Sequence, residues 1–193
     1  MAINKKNSFL RRLRISIHLV FRRLRIPNTH FLDLLAIVVG VVTALVAFLF
    51  LEGIDLMRWG VAQLHDLVSD STIFLLVPTF GGLLCGCTTF LLSPKAKGQG
   101  IPFVIYAVLV KSGLIELRHS LSRMLATIFT LGTMGSAGTE GPVVYFGSSV
   151  GSGFAQSLRL SPHNMKIMVG CGAAAGIAAT FQAPIGGVLF ALE

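Results

Sequence analysis

Two glycine-bracketed loops carry the residues best suited to chemistry, GQGIP from Gly98 to Pro102 and GSAGTEGP from Gly135 to Pro142. Each leads into an apolar stretch that reads as a helix starting at its proline, where a missing amide hydrogen costs nothing. The first-turn amides of a helix lack partners within it and point along the axis, and the aligned peptide dipoles place roughly half a positive charge there. Such an end binds an anion without a lysine. Glycine at the start lets the main chain turn tightly and come close to an ion. Two such ends converging near the midplane of a bilayer would form a small anion site.

Glu140 is the most informative single residue. A carboxylate amid neutral and apolar sequence is costly in a membrane, which marks it as functional. The plainer alternative is a carboxylate that caps the helix at Pro142, but the flanking glycines build no ordinary cap. At a helix N-terminus the side chain would mimic an anion and occupy the anion's own place. Protonation or displacement would vacate it, coupling proton and anion occupancy. An intramembrane enzyme pairing Glu140 with a histidine is the rival reading. His18, His30, His65, His119 and His163 are expected in the arm, in connecting segments or at a helix start, and none has HExxH spacing to a second histidine. No GK[ST] follows GSAGTEGP, which excludes a phosphate-binding P-loop. A structural membrane subunit would leave Glu140 without purpose.

The elements that must position these residues belong to a membrane protein. The chain has 193 residues, 53% hydrophobic and 12% charged, with mean hydropathy +0.78, against about 25% charged in a soluble domain. Half of its positive charge lies in Lys5, Lys6, Arg11, Arg12, Arg14, Arg22, Arg23 and Arg25, with no acid among them. Such an arm running into an apolar span obeys the positive-inside rule and sits against anionic lipid rather than nucleic acid. Residues 1–28 therefore read as a basic cytoplasmic arm and 29–193 as membrane domain. The apolar block is too long for the ~7–15 residues of a signal-peptide core, so the first span is expected to stay in the mature protein.

Phe31 to Leu51 and Thr72 or Ile73 to Leu92 each approach the ~20 residues a bilayer requires. Glu52, Asp55, Arg58, Asp66 and Asp70 are expected to connect them outside, with Lys95 and Lys97 returning inside. Beyond residue 98 the apolar stretches shorten to 101–110, 121–134, 142–158, 164–180 and 184–192. Short, tilted or broken helices follow. Ser161 before Pro162 reads as an N-cap. Gly147, Gly151 and Ala155 recur every four residues, the spacing that lets helices pack backbone to backbone. Cys85, Cys87 and Cys171 lie in apolar, glycine-rich sequence as small buried side chains, without a disulfide framework or metal motif.

GSAGTEGP resembles the GxxGxEGP signature of the CLC family of voltage-gated chloride channels and chloride/proton antiporters, and GQGIP resembles that family's GSGIP. GCGAAAGIAATFQAPIGGVLFALE, residues 170–193, is similar to its GAAAGxAAxFxAPxxGxLFxxE segment. All three stand in the family's order and at about its spacing, over most of residues 94–193. The resemblance implies an all-α polytopic membrane protein, the first half of a CLC-type inverted repeat. It implies a homodimer with a separate anion path in each subunit and transport of chloride or a similar small inorganic anion, by a gated channel or a proton-coupled exchanger. No enzyme activity and no cofactor are expected, and the plasma (inner) membrane is the expected location. Glu140 falls on the family's gating glutamate. Gln99, Gly100 and Ile101 fall on the residues that help hold the central anion, and Gly138, Gly141, Pro142 and Val143 surround the gate. Gln99 replaces the usual serine, although its amide can still donate to an anion. Thr139 stands where Arg or Lys is usual, and Phe103 and its neighbours lack the acids often found after GSGIP. The run from Pro184 is too short to span, so the chain is expected to stop mid-helix, with the second inverted half, its pore-lining tyrosine and its GxFxP segment absent.

Overall fold

The computed structural model describes residues 28–67, 73–92 and 100–193. The basic arm, Lys95, Lys97 and Gln99 lie outside them. The described residues form seven helices and no strand: α1 (Asn28–Leu67), α2 (Ile73–Leu92), α3 (Ile101–Leu109), α4 (Leu117–Gly132), α5 (Glu140–Ser157), α6 (Pro162–Phe181) and α7 (Pro184–Leu192). This is the all-α membrane architecture the sequence implies, with short helices after residue 100. Within the described residues, α1 and α6 are long and apolar enough to cross a bilayer, and the apolar stretch of α2, Leu76–Leu92, is shorter.

Three boundaries differ from expectation. Helix α1 does not end at Leu51 but continues through Glu52, Asp55 and Arg58 for 40 residues in all, about 60 Å of helix against a hydrocarbon core of about 30 Å. Its second half stays packed on the bundle, with Ile54 in the core shared by α4 and α5 and Met57 against Gly132 of α4. Arg58 approaches Asp55 at 3.5 Å one turn away, and its Nε donates to the Leu131 carbonyl at the end of α4 at 3.5 Å. The other two are helix starts: α3 and α5 begin before their prolines, at Ile101 and at Glu140. Proline is accommodated throughout a helix's first turn because no amide there has an intrahelical acceptor. Helices α6 and α7 do begin at Pro162 and Pro184. Ser161 caps α6 as expected, accepting from the Asn164 amide at 3.3 Å.

Helix α5 is the centre of the assembly, buried without interruption from Pro142 to Ser152. A helix covered on every side must be small or apolar all round, and its sequence PVVYFGSSVGS is both. Val143, Phe146 and Val150 pack with Val39, Ala47, Phe50 and Ile54 of α1 and Met124 and Leu131 of α4. Val144 and Tyr145 turn toward Val104 and Ala107 of α3 and Val169, Ala173 and Ile177 of α6. The four-residue repeat does what its spacing promises. A Cβ on Gly147 would overlap the Gly172 carbonyl oxygen, one on Gly151 would overlap that of Met168, and Ala155 is fully buried. Helices α5 and α6 thus touch main chain to main chain. The outer face of α1, with Leu34, Ile37, Val41, Leu45 and Phe48, stays uncovered, as suits a surface that meets lipid.

Candidate functional site

The chain reverses direction between α3 and α5 so that both helices start at the same place. Ahead of α3, Gly100 adopts φ 94° and ψ −159°, a region essentially reserved for glycine. This turn lets the Gly100 carbonyl accept from the amides of both Phe103 and Val104, each at 3.2 Å. Ahead of α5, Thr139 is the N-cap residue, its side chain makes no capping bond, and its carbonyl accepts from Val143 at 3.2 Å.

The two starts meet through Gly100 and Gly141. A Cβ built on Gly100 would lie 4.0 Å from the Gly141 Cα, and one built on Gly141 would lie 3.9 Å from the Gly100 Cα. Two helix N-termini therefore converge with nothing bulkier than hydrogen between their main chains. Their partial positive charges add, and the Ile101, Glu140 and Gly141 amides precede the first bonds of their helices, which run from Phe103 and Val104 to Gly100 and from Val143 to Thr139. The arrangement suits a small anion.

Glu140 is the first residue of α5, so it does not cap a helix beginning at Pro142. Its side chain is exposed and folds back over the preceding turn, where a Cβ on Gly138 would collide with Oε2. Among the described residues no ion pair engages it. The carboxylate thus lies at the positive end of its own helix, a favourable position for negative charge.

The other predicted residues divide clearly. Gly100 and Ile101 stand at the start of α3, Gly100 buried and Ile101 half-buried. Gly138 is exposed beside Glu140, and Gly141 is half-buried at the junction. Pro142 and Val143 are buried, and the Val143 side chain belongs to the core with α1 and α4. Only its main chain remains for an anion. Gln99 lies outside the described residues. Phe103 packs edge-on against Tyr145 of α5, with ring centroids 5.5 Å apart and planes at 82°.

Sequence reasoning missed what braces this junction. Tyr145 is 1% exposed and backs the start of α3. Ser152 and Gln156 bind the turn between α3 and α4; the hydrogen bond of 2.7 Å between Ser120 and Ser149, by contrast, joins only α4 to α5. The signal available was the serine density of GSSVGS, since buried hydroxyls are usually hydrogen-bonded; Ser149 and Ser152 find partners, whereas the Ser148 hydroxyl, also buried, has none among the described residues. His119, in the first turn of α4, lies 3.3 Å from Glu116, His30 lies 3.8 Å from Asp33 and His163 is exposed at the start of α6, while His18 lies outside the described residues. Among the described residues the three cysteines are free thiols.

Residues 81–193, from the middle of α2 to the end of the chain, match the sequence model of the family described as voltage gated chloride channel. The chain belongs to the voltage-gated chloride channel (CLC) family. Among its relatives is a ClcB-like chloride channel protein of Ralstonia nicotianae, 33% identical over 165 residues, covering 80% of this chain and 38% of the relative. The H(+)/Cl(−) exchange transporter ClcA of Yersinia pseudotuberculosis is 33% identical over 166 residues, covering 83% and 35%. Chloride channel protein CLC-c of Arabidopsis thaliana is 30% identical over 191 residues, covering 82% and 23%. This CLC chain therefore spans about a third of the length of the curated relatives it matches, or less. The matched residues contain both helix starts, Gly100 and Gly141, and Glu140.

Proposed function

We propose that this chain supplies part of a transmembrane path for chloride or a similar small inorganic anion. In this reading the N-termini of α3 and α5 hold the anion and Glu140 gates it. The convergence of Gly100 and Gly141 carries the proposal: it puts two positive helix ends at one point and leaves no side chain between them. Ile101, Gly138, Gly141, Pro142 and Val143 act through their main chain or by keeping the turn small, and Gln99 adds an amide donor from the loop before Gly100. The Glu140 carboxylate competes with the anion for the same positive ends.

The rest of the pathway belongs to the second inverted half of the same protein, because the helix ends supplied here need facing partners. The working unit is a homodimer in the plasma (inner) membrane, its basic arm on the cytoplasmic side. The relatives' names cover both chloride channels and an H(+)/Cl(−) exchanger. Gated conduction and proton-coupled exchange use Glu140 in the same way, by clearing the carboxylate from the anion's place.

Flux from liposomes carrying the full-length protein tests the gate. Glu140→Gln removes the charge while keeping the shape, so the rate of anion flux should change and its dependence on pH should flatten. An unchanged rate and an unchanged pH profile would sink the assignment of Glu140 as the gate.

A further inference from the structure

Helix α3 has 9 residues, well below the ~12–15 at which an isolated helix becomes even marginally stable. Its place is set by what it touches, and it touches α5 at three levels. At the first, Gly100 and Gly141 face each other across a gap that a Cβ on either would just fill, and among the described residues no hydrogen bond joins them. At the second, the Phe103 ring stands edge-on to Tyr145. At the third, beyond the far end of α3, the turn into α4 is tied to α5 by hydrogen bonds.

That tie uses the full capacity of one buried hydroxyl. Ser152 Oγ is inaccessible; it donates to the Gly113 carbonyl at 2.6 Å and accepts from the Ile115 amide at 3.0 Å. It also accepts from Gln156 Nε2 at 2.9 Å, which completes the one donor and two acceptor sites of a serine. Gln156 Nε2 donates in addition to the Ile115 carbonyl at 3.3 Å. The turn itself is closed onto α3 by the Gly113 amide, which donates to the Ala107 carbonyl at 2.8 Å.

We propose that Ser152 and Gln156 are positioning residues for the anion site, latching the foot of α3 to α5 and thereby setting the gap between Gly100 and Gly141. The inference rests on the reading of those two helix starts as the anion's place. Gly141 and Ser152 are eleven residues apart on α5, about 16 Å along its axis. Among the described residues, hydrogen bonds tie α3 to α5 only at this foot. Its sides rest on apolar contacts with α5 and with Val169, Ala173 and Ile177 of α6, so a shift at the foot tilts the helix against that packing. Over its ~14 Å length a tilt of about 5° moves the other end by about 1 Å. Displacements of that size at a site that depends on placed donors are felt as changes of up to ~100-fold.

Chloride flux against chloride concentration, measured on full-length protein in liposomes, tests the latch. Ser152→Ala should raise the half-saturating chloride concentration about ten-fold while the maximal rate per folded protein changes less than about two-fold. Gln156→Met should shift it in the same direction by less, and because Gln156 is exposed this variant serves if Ser152→Ala fails to fold. Ser149→Ala should leave half-saturation where it was, since that hydroxyl binds Phe146 of its own helix and Ser120, not the turn. A drop in folded yield with unchanged half-saturation in both latch variants would mean a merely structural role and overturn the proposal. Wild-type protein that moves no chloride would bring down the functional reading and the latch together, whereas normal wild-type flux with unaltered variants would bring down the latch alone.

Discussion

Where α5 crosses α6, Gly147 and Gly172 face each other so closely that a Cβ on either would overlap the other's carbonyl oxygen. Where α3 meets α5, Gly100 and Gly141 also face each other, but a Cβ on either would find ordinary contact at 3.9–4.0 Å. Glycine is required at the first place because there is no room, and the crossing it permits holds the centre of the fold. At the second place room exists, and glycine leaves it free of any side chain while Gly100 takes a backbone angle other residues resist. The same residue type therefore answers a lack of space in one region and a backbone angle in the other.

The largest effect should come from closing the crossing. Gly147→Ala places a methyl group into the Gly172 main chain, which cannot yield as a flexible side chain would, and should cost on the order of 3 kcal/mol. Thermal unfolding of the full-length protein in detergent measures it, and a loss below about 1 kcal/mol would show that the helices can separate freely there. Gly100→Ala should come next, at about 2 kcal/mol, because φ 94° with ψ −159° is strained for a residue with a Cβ. Here the cause is backbone angle and not space, so Gly100→Asn and Gly100→Ala should be destabilised to a similar degree despite their different sizes.

Gly141→Ala should have the smallest effect on stability, within about 1 kcal/mol, since alanine suits a helix better than glycine and meets no clash. Its effect on function should run the other way: a methyl group in the gap should weaken chloride flux clearly in liposomes. A Gly141→Ala protein with normal stability and normal flux would erase the distinction between the two glycine pairs.

Much of the local structure could be read from single stretches of sequence. Ser161 and Pro162 announce a helix start because a side-chain oxygen and a missing amide are local facts, and α6 begins there. Apolar runs cut by glycine and proline gave five short helices close to their observed limits. The expectation of a connecting segment at Glu52 to Arg58 failed because charge was taken as the end of a helix. The charges lie on the exposed side of a helix whose Ile54 is buried against α4 and α5, so the helix runs on through them. The left-handed residues Ser112, Met134, Arg159 and Gln182, which follow α3, α4, α5 and α6, were equally illegible. None of them is the glycine that usually marks such a helix end.

The sequence by itself determined that this is an all-α membrane protein whose apolar stretches after residue 100 are cut by glycine and proline, and it singled out two glycine loops and one carboxylate as candidates for the chemistry. Those properties follow from hydropathy, from the missing amide of proline and from the cost of charge in lipid, which act within a few residues. Only the tertiary structure decided that Gly100 rests against Gly141, forty-one positions away, and that Ser152 and Gln156 hold the turn at Gly113 to Ile115. Those contacts depend on how α3 and α4 lie against α5, and that in turn depends on α5 being enclosed by α1, α4 and α6, with the main chains of Gly147 and Gly172 in contact. No local pattern encodes a crossing geometry, because it is the joint result of side-chain volumes on several helices.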